Sequence, residues 1–314
     1  MNTQRYQLRL SGLPEPTGQI KAASLCRILD ALLQTGERAT RLIVTGQSIG
    51  RGRKPKWLRA SANFTVMGLN SGSTILKIEA PLFRETAYGE LAQQEFWQDK
   101  PSLDGTSLDM AARAIEEATS AESPGDHFDA DVLKAILKFK SAAGTPGIRY
   151  ELIPQGSTGS GFVLDEHVCM QVSERLRSIP PPRSFVLSGR LDEIKFGGGR
   201  FRLLLGRNDQ LLGKLHPDLL DTEVLRPLWG KPTTVEGLVH FKANGHARWI
   251  EARRMSERAE GDSVFEEIPT GEGAKSLGPV MVQRKRSVRS TDPMILAGAW
   301  PGDEPIDELL AQLD

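Results

Sequence analysis

The sequence predicts an α+β chain: an N-terminal α/β domain with a mixed sheet, then a small five-stranded β-barrel, then a flexible C-terminal tail. Three observations predict this. Up to residue 179, apolar residues recur at helical spacing between short β-branched runs, as in an α/β domain. Pro180-Pro181-Pro182 then stops the last helix. From Arg183 the pattern changes to short strands separated by turn residues, and this ends near Glu257. The expected divisions are residues 1–179 (α/β domain), 183–257 (barrel), 258–290 (linker) and 291–314 (tail).

In the first division, residues 5–11 (RYQLRLS) alternate like a strand. Residues 18–34 follow as an amphipathic helix with Ile20, Leu25, Ile28, Leu29, Leu32 and Leu33 on one face, Thr17 as N-cap and Gly36 as C-terminal stop. TRLIVTG (40–46) reads as a buried strand. Residues 63–69 and 73–80 read as two more strands, with Asn70-Ser71-Gly72 as a hairpin signal. Helices are expected over 84–97, 107–119 and 129–142, a strand over 148–154, a turn at QGSTGSG (155–161) and a helix over 165–177. The strand–helix–strand opening is what suggests an α/β sheet.

The second division reads as three strands, a short helix (PDLLDTEVLRPLW, 217–229) and two strands joined by the Ala243-Asn244-Gly245 turn. Gly189, Gly206, Gly213 and Gly237 suit bends in a small curled sheet. By element order and glycine placement this segment resembles an OB-fold, whose helix lies between the third and fourth strands. Residues 258–290 lack periodicity and are rich in Gly, Ser and charge, which predicts a mostly unstructured linker.

Composition bounds the function. Lys+Arg and Asp+Glu are both 40 in 314 residues, so whole-chain charge does not argue for a polyanionic partner; only local clusters can. The two cysteines, Cys26 and Cys169, are far apart and are expected to be buried thiols in a reducing compartment. The first residues lack the apolar run of a signal peptide, and no stretch approaches a membrane span, so a cytoplasmic protein is expected.

The last twenty residues pose the clearest question. Ile306, Leu309, Leu310 and Leu313 form one apolar stripe on a helix capped by Asp303, with Asp307 and Glu308 near its start. Pro301-Gly302 sets Trp300 apart from it. From Ser290 onward there are six acidic residues and no basic ones. A helix of about two turns is marginal in water and cannot bury its own leucines. Either the chain's own domains cover them, or a partner supplies a hydrophobic groove with a basic rim. In the second case Trp300, Asp303, Glu304, Ile306, Leu309, Leu310 and Leu313 are the partner-binding residues.

The order small residue, Trp300-Pro301-Gly302-Asp303-Glu304, then an acidic Leu-Leu helix resembles the tails of uncharacterised bacterial proteins paired with PIN-domain toxins, and antitoxin tails generally. The resemblance covers about Asp292–Asp314. It implies a non-enzymatic regulator in a toxin–antitoxin pair, whose partner is a metal-dependent PIN-type ribonuclease with a basic RNA-binding groove.

Two basic clusters point elsewhere. Arg51, Arg53, Lys54, Lys56 and Arg59 surround Trp57 on a loop expected between strands, a pattern that suits phosphate contacts and base stacking as well as a plain solvated loop. In the barrel, residues 183–258 carry 14 Lys+Arg against 9 Asp+Glu, and Arg200 and Arg202 share one strand face. Such a barrel suits either a nucleic-acid strand or a docked protein. Arg284-Lys285-Arg286 with Arg289 reads as a solvated linker cluster.

Signals for catalysis are weak. His240 and His246 flank a turn without a companion cysteine or carboxylate cluster, a poor zinc site. His167 and Cys169, two apart on a helix, do not share a face. The 156–161 glycines lack the Gly-Lys-Ser/Thr of a phosphate loop. No cofactor, metal or catalytic residue is expected. The sequence thus points first to an antitoxin-like binder acting through its tail, and second to an OB-fold nucleic-acid-binding protein whose acidic tail recruits other proteins. An enzyme with an unfamiliar site in the first domain is the third class.

Overall fold

The computed structural model describes residues 2–50, 52–69, 74–92, 101–120, 122–156, 159–195, 199–206, 209–216, 219 and 225–271. The tail, the basic cluster at 284–289 and the hairpin residues Asn70-Ser71-Gly72 lie outside the described residues. Among the described residues the chain forms helices and two sheets, and the apolar side chains collect into two separate cores.

The first core forms between an open five-stranded sheet and helices on one of its faces. Strand β1 (Thr3–Ser11) alternates, with Tyr6, Leu8 and Leu10 buried and Arg5 and Arg9 exposed on the opposite face. Its neighbours are β3 (Ile75–Pro81) and β4 (Arg149–Gln155), flanked by β2 (Thr65–Leu69) and β5 (Phe162–Leu164), in the order β2-β3-β1-β4-β5. Every described pairing in this sheet is antiparallel.

That corrects the mixed sheet. A strand at 40–46 would have required a parallel crossover, but this segment is helical. Helix α1 runs from Ala22 to Thr45, capped at Lys21 rather than Thr17, and its C-cap is Gly46 in the left-handed conformation (φ 76°) with its N–H donated to Leu42 O. Ile28, Leu32, Thr35, Ala39 and Leu42 bury one continuous helical stripe, so packing overrides the β-branched run. Gly36 does not stop the helix. A Cβ there would lie 3.0 Å from Ser107 O, so the missing side chain lets α1 pass close to the next long helix.

Helix α2 (Lys56–Ala62) precedes β2, and two short helices, α3 (Phe83–Thr86) and α4 (Tyr88–Ala92), follow β3. Helix α5 (Ser107–Thr119) has the expected bounds and opens with a capping box between Thr106 and Asp109. Tyr6 donates its hydroxyl to Asp109 (3.0 Å), which ties this cap to the sheet. Helices α6 (Ala130–Leu137) and α7 (Phe139–Ala142) divide the expected 129–142 helix, and α8 (Glu166–Ser178) closes the first core. Cys169 on α8 is buried, whereas Cys26 is exposed on the outer side of α1 and departs from the expectation.

The second core fills a closed barrel of β6 (Arg183–Lys195), β7 (Arg200–Leu205), β8 (Asp209–Leu215), β9 (Pro232–Phe241) and β10 (Ala247–Glu257). The order around it is β6-β7-β8-β10-β9, closing on β6, with β8 and β10 parallel and every other pair antiparallel. This is the strand order of an OB-type barrel. At Gly189 and Gly237 a Cβ would fall 2.3 Å from Leu204 O and 2.2 Å from Glu251 O, so these glycines let neighbouring strands close up. Of the expected helix at 217–229, most lies outside the described residues, and Arg226–Leu228 form a single 3-10 turn.

The unstructured linker does not begin at residue 258. Asp262–Phe265 form a 3-10 turn whose buried Asp262 accepts from the Thr234 hydroxyl (2.6 Å) and the Ala259 N–H (3.0 Å). Thr270 then bridges to His246. The segment 258–271 is therefore built onto the barrel.

Candidate nucleic-acid interface

The basic segment after α1 is partly helical rather than a plain loop, and it joins α1 to β2 rather than two strands. Pro55 precedes α2, so Lys56, Trp57 and Arg59 ride on a helix while Leu58 is buried and Trp57 packs against the first core. Trp57 is thus an anchor, not a free stacking surface. Arg53, Lys54, Lys56 and Arg59 are exposed. Lys54 pairs with Glu37 (2.8 Å); Arg53, Lys56 and Arg59 have no ion-pair partner among the described residues. Arg51 lies outside the described residues.

One hydrogen bond links the barrel to the residues that precede the basic segment. Gln47, just before the basic segment, accepts a hydrogen bond from Lys214 Nζ on β8 (3.2 Å). Lys214 is the register partner of Arg200 on β7. On β7 the interior face takes Phe201, Leu203 and Leu205, and the outer face takes Arg200 and Arg202. These two arginines differ. Arg200 is exposed, whereas Arg202 is held by Asp192 (2.8 Å) and Glu193 (3.1 Å) and its side chain is only 11% exposed. The charge of Arg202 is balanced by its own barrel.

Of the three barrel aromatics weighed from the sequence, Phe201 and Phe241 are core. Trp249 stacks on His240, with ring centroids 4.0 Å apart and planes 6° from parallel. His240 thus faces Trp249, its register partner, while His246 lies in an isolated β-bridge with Thr270. Burial pushes the His240 imidazole below its usual range, against the opposing pull of Glu251 and Asp129. The exposed aromatic is one that the sequence reading placed in a helix: Trp229, 66% exposed.

Elsewhere, a cavity of about 300 Å³ opens between α7, the 144–148 loop and the start of α8, with Cys169 on its wall. Burial pushes that thiol up to about 11, so it is a neutral wall rather than a nucleophile. Among the described residues, no group of three or more His, Cys, Asp or Glu could hold a metal ion, and no helix is long and apolar enough to cross a membrane.

The fold is that of a two-core α+β protein built from an antiparallel sheet domain and an OB-like barrel. No family model, curated protein or solved structure matches the chain.

Proposed function

We propose that the protein is a non-enzymatic binder that holds single-stranded nucleic acid on its barrel and the adjoining basic segment, and recruits a partner protein through residues 291–314. The observation that supports the first half is the Lys214–Gln47 hydrogen bond, which brings β8 to the stretch of chain that leads into the basic segment. Arg53, Lys56, Arg59 and Arg200 are exposed and uncompensated among the described residues, as phosphate contacts must be. Neutralising Arg53, Lys56 and Arg59 together to glutamine should weaken binding to a fluorescent single-stranded oligonucleotide. Each lost phosphate contact lowers the slope of log K against log salt by about 0.7, so the three together should flatten it by about 2. A salt slope unchanged by the triple variant would remove this surface from the reading.

The antitoxin-like reading is supported by a separate observation, the apolar stripe Ile306, Leu309, Leu310 and Leu313 beside Trp300 and the acidic Asp303 and Glu304. On that reading a PIN-type ribonuclease, or another protein with a hydrophobic groove and basic rim, takes the segment. An affinity pulldown with the full chain should recover a partner that a chain ending at Ser290 does not. Equal recovery from both would sink the tail's role and leave the nucleic-acid surface standing.

A further inference from the structure

We propose that Trp229 is a base-stacking platform, so that this protein grips unpaired nucleotides at a point on the barrel distinct from the β7–β8 face. The proposal rests on the nucleic-acid reading above and narrows it to single strands.

The exposure of Trp229 is built, not accidental. The turn that carries it is fixed from below by Leu225 and Leu228, both buried in the barrel core. The backbone directly after it is tied to β6 by two bonds: Gly230 N–H donates to Leu191 O (2.8 Å), and Leu191 N–H donates to Lys231 O (3.0 Å). The indole itself is held by its edge, Nε1–H donating to Asp192 O (3.0 Å). With one edge bonded and the frame rigid, the ring is oriented while most of its surface stays open to solvent. Large aromatic side chains usually bury most of their area, so an oriented and open indole is a preformed contact.

The surroundings select the ligand. Arg190, Arg226 and Lys231 are exposed in or beside the strand and turn that hold the ring, and Arg202 lies one ion pair away through Asp192. Against these stand Asp192, Glu193 and Glu257, the last paired with Lys231. An interface core for a protein partner is depleted in charge around its aromatic anchor. Here the neighbours are charged: Lys231 is paired with Glu257, Arg190 stands 4.0 Å from Asp192, and exposed Arg226 has no ion-pair partner among the described residues, which suits an anionic chain bearing flat rings, with a base on the indole and a phosphate on Arg226.

The test uses the full chain, labelled single-stranded and duplex oligonucleotides of one sequence, and the variants Trp229→Ala and Trp229→Phe. Trp229→Ala should weaken single-strand binding about tenfold or more, leave duplex binding within about twofold and leave the salt slope unchanged, because a stacking contact releases no counterions. Trp229→Phe should restore most of the affinity. Should Trp229→Ala fold poorly, photocrosslinking the unaltered chain to a 5-iodouracil oligonucleotide decides, with the adduct expected on the peptide carrying Trp229. Full single-strand affinity in Trp229→Ala, or equal losses for both nucleic acids, or an adduct confined to other peptides, would overturn the platform while leaving the basic surface in place. An unaltered chain that binds no oligonucleotide at low salt would overturn both.

Discussion

Arg248→Met is expected to destabilise the protein by about 3–5 kcal/mol, the usual cost of leaving buried charged and polar groups without their partner. Arg248 sits at a register shift in β10, between Ala247 and Trp249, where a bulge turns its side chain out of the barrel. The guanidinium then reaches the loop between α5 and α6. Nη1 donates to Asp126 O (3.2 Å), and Nη2 donates to Phe128 O (2.6 Å) and to Gly125 O. Burial pulls its pKa down, and the carboxylates of Asp129, Asp126 and Glu117 hold the charge in place. On the same loop Lys242 pairs with Asp126 (2.5 Å). Methionine fills similar space but strands three carbonyls and leaves Lys242 as the cation paired with the acidic cluster. Urea denaturation should therefore show a lower midpoint, and helix signal and tryptophan fluorescence should cease to report one transition, because this loop is where the two cores are fastened. Arg248→Lys should be intermediate, since a point charge cannot serve three carbonyls in a fork. A midpoint shift worth less than about 1 kcal/mol for Arg248→Met would mean that the fastening lies elsewhere.

Neither Arg248 nor Trp229 was legible in the sequence, and the reason is the same for both. Periodicity reports which face of a regular element is buried, and it reported that well: α5 was read with its bounds, and the barrel strands and their order followed from alternation and turn residues. A bulge breaks the alternation without a mark in composition. The shift between Leu191 and Glu193 brings both Asp192 and Glu193 onto Arg202, so an arginine that shares a face with Arg200 in sequence is neutralised in space. The sequence places Trp229 at the end of a short helix; Gly230-Lys231-Pro232 directly after it is the available sign of a turn. The misreading of 40–46 had another cause. Thr40, Ile43, Val44 and Thr45 favour a strand one residue at a time, but α1 gains more by continuing its buried stripe to Leu42 and Val44. The link between β8 and the chain just after α1 depends on Gln47 meeting Lys214, a contact 167 positions apart that no local pattern encodes.

Acid should expose the second fastening of the same loop. Glu117, at the end of α5, accepts from the Asp126 N–H (2.9 Å), the His127 N–H (2.6 Å) and His127 Nδ1 (3.1 Å). Burial by itself raises its pKa, but the hydrogen bonds from the His127 side chain, the two backbone N–H groups and the Ser123 side chain outweigh it and hold the carboxyl at about 2, against an ordinary 4.5. A carboxyl held low in the folded state stabilises that state in its ionised form. The contribution is complete above pH 4.5, shrinks as pH falls from there because the unfolded chain takes up the proton first, and is gone below about 2, where both states are protonated. The interval is worth roughly 3 kcal/mol, for a side chain only 13% exposed. Glu117→Gln should therefore be less stable than the unaltered chain at pH 7 and lose less between pH 4.5 and 2, so that the two denaturation midpoints converge in acid. Parallel curves across that interval would assign the acid sensitivity to other carboxylates. Glu117 grips residues 126–127 from the first core, and Arg248 grips 125–128 from the barrel, so the two act on one segment. Once either grip is lost the loop is already loosened, and the second loss costs less. The double variant should fall short of the sum of the single effects by about 0.5–3 kcal/mol, the range for residues sharing one network. Strict additivity would mean that the loop is two independent anchor points rather than one clasp.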